Sequence, residues 1–451
     1  MGTARERLVI IGAGAAGLPI ASQIREETRD KDITVITLGK VIAYSPCALP
    51  FVLEGRITNI RNIIMKRPED YEAMGIRMML ETRVERIDLK AKVLETSRGP
   101  VEFDTLVIAT GAKAFIPPIP GVDAKGVNTL RWYDDCLAIE KDLEGVTNAV
   151  IVGAGAIGLE VAGALLHRKI KVTVVELLPY VLPLILDPDM AQMVHNHVTD
   201  MGARVIVGTA VSEVLKDASG RVRAVRVGGE ELPAEFVLMS TGVRPDTDLA
   251  KAAGIEIGPT GGIVTDGSLH VKVGRAFLPN VFASGDCAEV VRDFTFGKTT
   301  SPLGTSARRL AMVVANNLMG RNVVLHPFTS PNVCVVGNYH VGSVGLTTHA
   351  AAQAGITVQS RTATGPAIAR YFPEKSLVTI KLLIDSSRRI VGGQMIGEGG
   401  GVKSRIDMLS TAMASRMKVD DLATVETCYA PPVSALLDPL TLAAQSFTDV
   451  C

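Results

Sequence analysis

The chain of 451 residues is short of several things. Aromatic residues make up 4% of it, with one tryptophan. Neither charge sign predominates: Lys plus Arg is 47 and Asp plus Glu is 47. A balanced chain has no whole-molecule field to draw in a polyanion, which argues against nucleic acid as its main partner. Six cysteines are too few for a disulfide scaffold. Cys47, Cys136, Cys287, Cys334, Cys428 and Cys451 show no CxxC or other metal-type spacing, so no metal is expected. There is no apolar run of about 20 residues that could span a bilayer. The stretch Leu8 to Ile11 is too short for a signal peptide, and Glu6 stands where a myristoylation signal needs Ser or Thr. The expectation is a cytoplasmic protein in a reducing compartment, with no membrane partner.

What is plentiful is apolar material, 47%, and glycine, 43 residues. At about 150 residues per domain the length suggests two to four domains. The chain opens with the strand pattern Leu8-Val-Ile-Ile11, a glycine turn, a helical pattern from Ala15 to about Arg25, and a second strand, Ile33 to Ile36. A similar βαβ unit follows: Ala149 to Val152, a glycine turn, a helix to about Arg168, then Lys171 to Val175. From about Asn322 the character changes to alternating strands (Val333 to Val336, Val378 to Ile384) and helices around Val402 to Met417 and Ser434 to Gln445.

Each glycine turn has a chemical meaning. In Gly12-Ala-Gly14-Ala-Ala-Gly17 the first glycine permits the tight turn, and the second lets backbone approach a pyrophosphate. The third lets helix pack on strand, and the helix N-terminus faces the phosphates. Gly153, Gly155 and Gly158 repeat the pattern, and Glu160 on the helix that follows is expected among the residues that hold the cofactor. Glu176 closes the second strand of that unit, where an acid bonds a ribose 2′-hydroxyl and repels a 2′-phosphate. No arginine follows it in Leu177-Leu-Pro, so NADH is expected over NADPH. The equivalent strand end in the first unit is Thr37.

Two further segments, Phe103-Asp-Thr-Leu-Val-Ile-Ala-Thr110-Gly111 and Val281-Phe-Ala-Ser-Gly285-Asp286, resemble the second and third flavin-binding signatures of the flavoproteins with two dinucleotide-binding domains. Ser240-Thr-Gly242-Val-Arg-Pro245 resembles the stretch that closes their NAD domain. The resemblance implies FAD and NADH, with Asp286 on the ribityl chain. The implied fold is α/β: two Rossmann-like dinucleotide-binding domains plus a C-terminal α+β dimerisation domain. The FAD domain would comprise 1–118 and 248–322, the NAD domain 119–247 and the dimerisation domain 323–451.

Cys47 sits in Tyr44-Ser-Pro-Cys-Ala-Leu-Pro50. Two-cysteine disulfide reductases carry a second cysteine five residues on; here that place is Val52. The chain thus resembles the single-cysteine branch of the pyridine nucleotide-disulfide oxidoreductase family, the coenzyme A disulfide reductases and NADH-dependent persulfide or polysulfide reductases. Near the C-terminus Cys428-Tyr-Ala-Pro-Pro, Lys403-Ser-Arg-Ile-Asp-Met-Leu-Ser410 and Ala369-Arg-Tyr-Phe-Pro373 resemble the same branch. The resemblance implies Cys47 as the redox-active thiol, and Tyr429 or Tyr371 of a second subunit as proton donor in a homodimer with shared sites. It implies coenzyme A as a ligand, with Gln23 and Arg25 at its phosphates, although Glu26 and Glu27 replace the further basic residue common there. Arg61, Lys66 and Arg67 read more readily as solvated basic surface. Cys428 is a second candidate thiol. Two alternatives stay open. One is an NADH oxidase reducing oxygen, against which Ala15 counts because oxygen- and peroxide-reducing relatives usually carry His there. The other is a reductase passing electrons to a protein acceptor.

Overall fold

The computed structural model describes residues 5–295, 297–373 and 376–448, which leaves Cys451 outside the described residues. Its residues form two compact units. One comprises Met1–Ala48, Asn59–Ala114 and Val243–Phe328; the other comprises Leu49–Thr58, Phe115–Gly242 and Thr329–Cys451.

The first unit is built on a six-stranded sheet. Its order is His270–Val273, Ala276–Ala283, Thr105–Ile108, Glu6–Ile11, Lys31–Ile36, Ile76–Met79. All neighbours run parallel except the hairpin of the first two. The central strands are continuous apolar runs because both their faces are covered: Leu8, Ile10, Val35, Leu106, Val107 and Ile108 are fully buried. Helices Gly17–Glu27 and Gly304–Leu318 pack against each other. Since four strands point the same way, Gly12, Thr37, Thr110 and Asp286 all emerge at one edge, the carboxyl ends, where open α/β sheets bind ligands.

The second unit repeats the device and adds to it. A parallel sheet runs Arg204–Ile206, Lys171–Val175, Asn148–Val152, Phe236–Met239, Val127–Asn128. Gly153, Glu176 and Ser240 follow the carboxyl ends of three of its strands. A five-stranded antiparallel sheet runs Asn332–Val336, Tyr339–Gly345, Ile390–Glu398, Leu377–Asp385, Val358–Pro366. Lys381, 7% exposed, bonds Asp189 at 2.7 Å and Asp187 at 3.0 Å. Asp187 also takes Thr348 N–H and Oγ1–H at 2.9 and 2.8 Å, so its buried charge is well partnered.

Helices Val402–Ala414 and Pro439–Gln445 cover the antiparallel sheet. The second starts five residues later than Ser434, where the sequence places it. Asp438 accepts from Leu440 N–H at 2.8 Å, and Pro439 takes the first helical position. A buried ion pair between Arg405 and Asp438, 2.7 Å, fixes that start. Val433, Leu436 and Leu437 before it are left exposed. Among the described residues no helix is long and apolar enough to cross a membrane.

Candidate active site

The first glycine loop is shaped by contacts no side chain would survive. Gly12 has φ +113°, and a Cβ there would meet Ala109 O at 2.1 Å. A Cβ on Gly17 would meet Gly12 O at 1.9 Å, so helix and turn touch backbone to backbone. Gly14 is different: nothing lies within 4 Å of its Cβ position. Strain and packing therefore explain Gly12 and Gly17. Gly14 is explained by a ligand that must approach the backbone. Gly111, at φ +74°, also faces open space. This cradle fits the pyrophosphate of FAD.

The side chains around the cradle are disposed differently. Thr37 Oγ1 accepts from Gly39 N–H at 3.3 Å and keeps its own proton to donate. Thr110 spends its hydroxyl on Asp246 O, 2.6 Å, so its contribution to a cofactor is its backbone. Gly285, φ +85°, lets the chain turn closely past Ala16 and presents Asp286, which is half-buried. Cys287 behind it is fully buried, and burial raises its thiol pKa, which makes it packing rather than chemistry.

The second glycine loop has the same logic. A Cβ on Gly153 would strike Ser240 O at 2.5 Å and one on Gly158 would strike Gly153 O at 2.1 Å, while Gly155 and Gly242 face open space. Glu176 is buried and accepts from Ala154 N–H at 2.7 Å and Leu178 N–H at 2.9 Å. Two acceptor positions of its carboxylate are thereby used to brace the loop, which leaves two for a ribose. Leu177 and Leu178 beyond it are exposed and bring no cation. Glu160 goes elsewhere. It turns from the loop toward the antiparallel sheet and accepts from Val335 N–H at 3.2 Å. Burial pushes its carboxyl pKa up to about 7.

Cys47 lies in the turn Pro46–Ala48 and is exposed. Val52, at the place of a second cysteine, is buried. Of the other described cysteines, Cys136, Cys287 and Cys334 are buried. Burial pushes Cys136 up to about 12 and raises Cys334 as well. Cys428 is exposed. Thiol chemistry among the described residues is thus confined to Cys47 and Cys428.

The two tyrosines meet. Ala369 N–H donates to Pro431 O at 3.1 Å, which lays the two segments side by side, and the hydroxyls of Tyr371 and Tyr429 come to 2.9 Å. Both rings are exposed. The hydrogen bond to Tyr371 raises the Tyr429 pKa and keeps its phenol protonated. Sequence reading names both residues but has no signal for their pairing. Arg25 is 4% exposed and donates to Lys31 O at 2.7 Å, tying helix to strand, while its Nε has no partner. Gln23 is half-buried on the same helix, and Ala15 is exposed at the first glycine loop.

The pyridine nucleotide-disulphide oxidoreductase family model matches residues 6–313, and the dimerisation-domain model of that family matches 331–439. The chain is 40% identical to an NADH oxidase of Methanocaldococcus jannaschii over 450 residues, covering 97% of this chain and 98% of that one. It is 28% identical to a CoA-dependent NAD(P)H sulfur oxidoreductase of Pyrococcus furiosus, covering 98% and 99%. Among solved structures, an NAD-dependent persulfide reductase from A. fulgidus superposes with a TM-score of 0.93 at 34% identity, covering 98% of this chain and 83% of that one. With two glycine cradles at the carboxyl ends of two parallel sheets, an exposed cysteine after the first, and these matches, the chain belongs to the pyridine nucleotide-disulphide oxidoreductase family and is an FAD-dependent NAD(P)H oxidoreductase with a dimerisation domain.

Proposed function

We propose that this enzyme uses NADH to reduce a sulfur–sulfur bond in a small thiol-derived substrate, a coenzyme A disulfide, a coenzyme A persulfide or a polysulfide. The overall balance is NADH, a proton and RSSR′ giving NAD⁺, RSH and R′SH. The observation that carries this reading is the exposed Cys47 with buried Val52 in place of a partner cysteine. With no second cysteine five residues on, Cys47 cannot close an internal disulfide there and cycles as a mixed disulfide, a persulfide or a sulfenate; exchange with a sulfur supplied from outside is the cycle assigned here. The relatives named as sulfur and persulfide reductases support the substrate class.

Bound FAD supplies hydride acceptance from NADH and delivery of the electron pair to sulfur. Gly12, Gly14, Gly17, Thr37, Thr110, Gly111, Gly285 and Asp286 would hold it. Gly153, Gly155, Gly158, Gly242 and Glu176 would hold NADH. Glu160 contributes by bracing the NAD-binding helix rather than by touching the nucleotide. Cys47 as thiolate attacks one substrate sulfur, the S–S bond breaks, and the departing thiolate takes a proton. Tyr429 of the partner subunit, kept neutral by Tyr371, is the donor we assign, in a homodimer whose sites are shared.

A second reading, oxygen reduction, has the support of the Methanocaldococcus relative's name. Ala15 offers no donor or positive charge beside the flavin cradle for an O–O bond. Anaerobic NADH turnover with coenzyme A disulfide, coenzyme A persulfide and polysulfide, set against aerobic turnover without them, separates the two. Sulfur turnover at least tenfold faster than oxygen turnover is expected, and the reverse order would sink the proposal.

A further inference from the structure

The second glycine loop is braced from two sides at one residue. Ala154, between Gly153 and Gly155, is fully buried and gives its N–H to the Glu176 carboxylate at 2.7 Å. Its carbonyl accepts from Leu182 N–H at 2.9 Å. Leu182 lies in residues 177–186, the segment that runs from Glu176 to the helix Pro188–Asp200. Val181, Leu182 and Leu186 are buried, whereas Leu184 is exposed. Leu182 has φ +50°, a conformation a leucine keeps only where its surroundings hold it. The shape of this segment therefore depends on what fastens its far end.

That end is Asp187, which is 1% exposed and takes the N-cap place of the helix Pro188–Asp200. An aspartate there ordinarily accepts from the first turn of its helix. The Asp187 side chain makes no such bond. It turns instead to the part of the chain that matches the dimerisation-domain model. Thr348 donates to it twice, Lys381 Nζ stands 3.0 Å away, and Asp187 N–H donates to Gln394 Oε1 at 2.7 Å. Lys381 and Gln394 face each other on neighbouring strands, so one patch of sheet grips one residue. Both are buried, and the Gln394 amide nitrogen finds no partner among the described residues. Asp189 adds a second carboxylate to Lys381 at 2.7 Å. The other end of the helix is fixed separately: His197 Nε2 lies 3.0 Å from Val336 O, and its ring stacks on Tyr339 at 3.7 Å.

A buried ion pair adds little net stability over apolar packing, because desolvating both charges offsets their attraction. What it supplies is a fixed position for the groups it joins. We propose that Lys381 is a positioning residue for NADH. Through Asp187 it sets residues 177–186, and through Leu182 that segment sets the backbone of Ala154 in the turn that carries the pyrophosphate. The dimerisation sheet thus governs dinucleotide affinity without touching the nucleotide. The proposal rests on the assignment of the second glycine loop and Glu176 to NADH and does not depend on which acceptor the enzyme reduces.

The test uses the FAD-loaded full-length enzyme, with FAD content and Tm as checks on folding. In Lys381→Met the NADH concentration that half-saturates anaerobic flavin reduction is expected to rise at least fivefold, while the limiting rate stays within about twofold. Equilibrium binding of ADP-ribose, which has the adenosine and pyrophosphate but no nicotinamide, should weaken by the same factor. Arg405→Met is the control. It too leaves a buried aspartate, Asp438, unpaired in the same part of the chain, so it should lower Tm comparably yet leave both nucleotide measurements unchanged. Thr348→Val removes one bond to Asp187 and keeps the ion pair; it should weaken ADP-ribose at least twofold, and it carries the test if Lys381→Met loses FAD. Unchanged ADP-ribose affinity in the Lys381 variant, or in Thr348→Val standing in for it, overturns the positioning role, as does an equal loss in Arg405→Met. Glu176→Ala separates the two readings. If it leaves ADP-ribose binding unchanged, the assignment of the loop to NADH fails; if it weakens binding while Lys381→Met does not, only the positioning role fails.

Discussion

The hydroxyls of Tyr371 and Tyr429 lie 2.9 Å apart, although 58 residues separate them in the chain. One phenol must donate to the other, and the raised pKa of Tyr429 keeps its proton in place through neutral pH. The pair is exposed on the part of the chain that matches a dimerisation domain. If Tyr429 protonates the departing sulfur, Tyr429→Phe should slow the sulfur half-reaction by about 10² or more, the usual cost of losing a general acid. Tyr371→Phe removes only the orienting bond and should cost less. Stopped-flow traces separate this from NADH oxidation, which neither variant should alter. Mixing Cys47→Ser with Tyr429→Phe subunits should restore activity in the heterodimer, where one site is intact. No recovery from mixed dimers of truly inactive parents would rule out action in trans.

Cys47→Ser separates the two halves of the reaction. NADH-driven bleaching of the flavin absorbance should stay within about twofold of wild type, because hydride transfer needs no thiol. Turnover of coenzyme A disulfide and persulfide should fall to the uncatalysed background. Cys428→Ser should leave both nearly unchanged. Sulfur turnover surviving in Cys47→Ser would eliminate the thiol mechanism and favour electron transfer to another acceptor.

The fold was legible because its signals are local. A strand, a glycine turn and a helix occupy one short window, and the two windows at Gly12 and Gly153 reveal both sheets. Gly12, Gly17, Gly153 and Gly158 could be read because a Cβ at each would strike backbone, and Gly14 and Gly155 because a ligand needs the open space they leave. Side chains were less legible, since their partners are distant in sequence. Arg25 looks like a surface cation on a helix and is buried beside Lys31 O, to which it donates. Glu160 follows the second glycine turn, yet its helix face is set by the strand Asn332–Val336. The apolar stretch from Ala435 reads as helix throughout, but the Arg405–Asp438 pair sets where it begins.

Glu176 should govern the choice of dinucleotide. Its carboxylate is buried and tied to the Ala154 and Leu178 amides, so it cannot swing away from a 2′-phosphate. Glu176→Ala should narrow the NADH-over-NADPH ratio of kcat/KM by about tenfold or more, the worth of roughly 1.4 kcal/mol. It should also weaken NADH binding, because the loop loses its brace. Adding Leu177→Arg should raise NADPH use further. A wild type that prefers NADPH tenfold would contradict the assignment.

Glu160 should leave a mark on stability rather than on nucleotide choice. Its carboxyl is raised from about 4.5 to about 7 by burial, against one stabilising bond from Val335 N–H. Between those values the folded chain holds a proton that the unfolded chain releases. Stability is therefore full below pH 4.5 and is lost as pH rises through 7, by about 3 kcal/mol in all at roughly 1.4 kcal/mol per unit. Glu160→Gln keeps an acceptor for Val335 and carries no charge to desolvate. Its Tm should match wild type near pH 5 and exceed it by several degrees at pH 8, with the gap opening between pH 5 and 7. Thermal melts of the FAD-loaded enzyme at pH 5, 6, 7 and 8 check this. A constant gap across that range would mean that Glu160 does not titrate there. A lower Tm for the variant at pH 8 would mean that the ionised carboxylate has a stabilising partner.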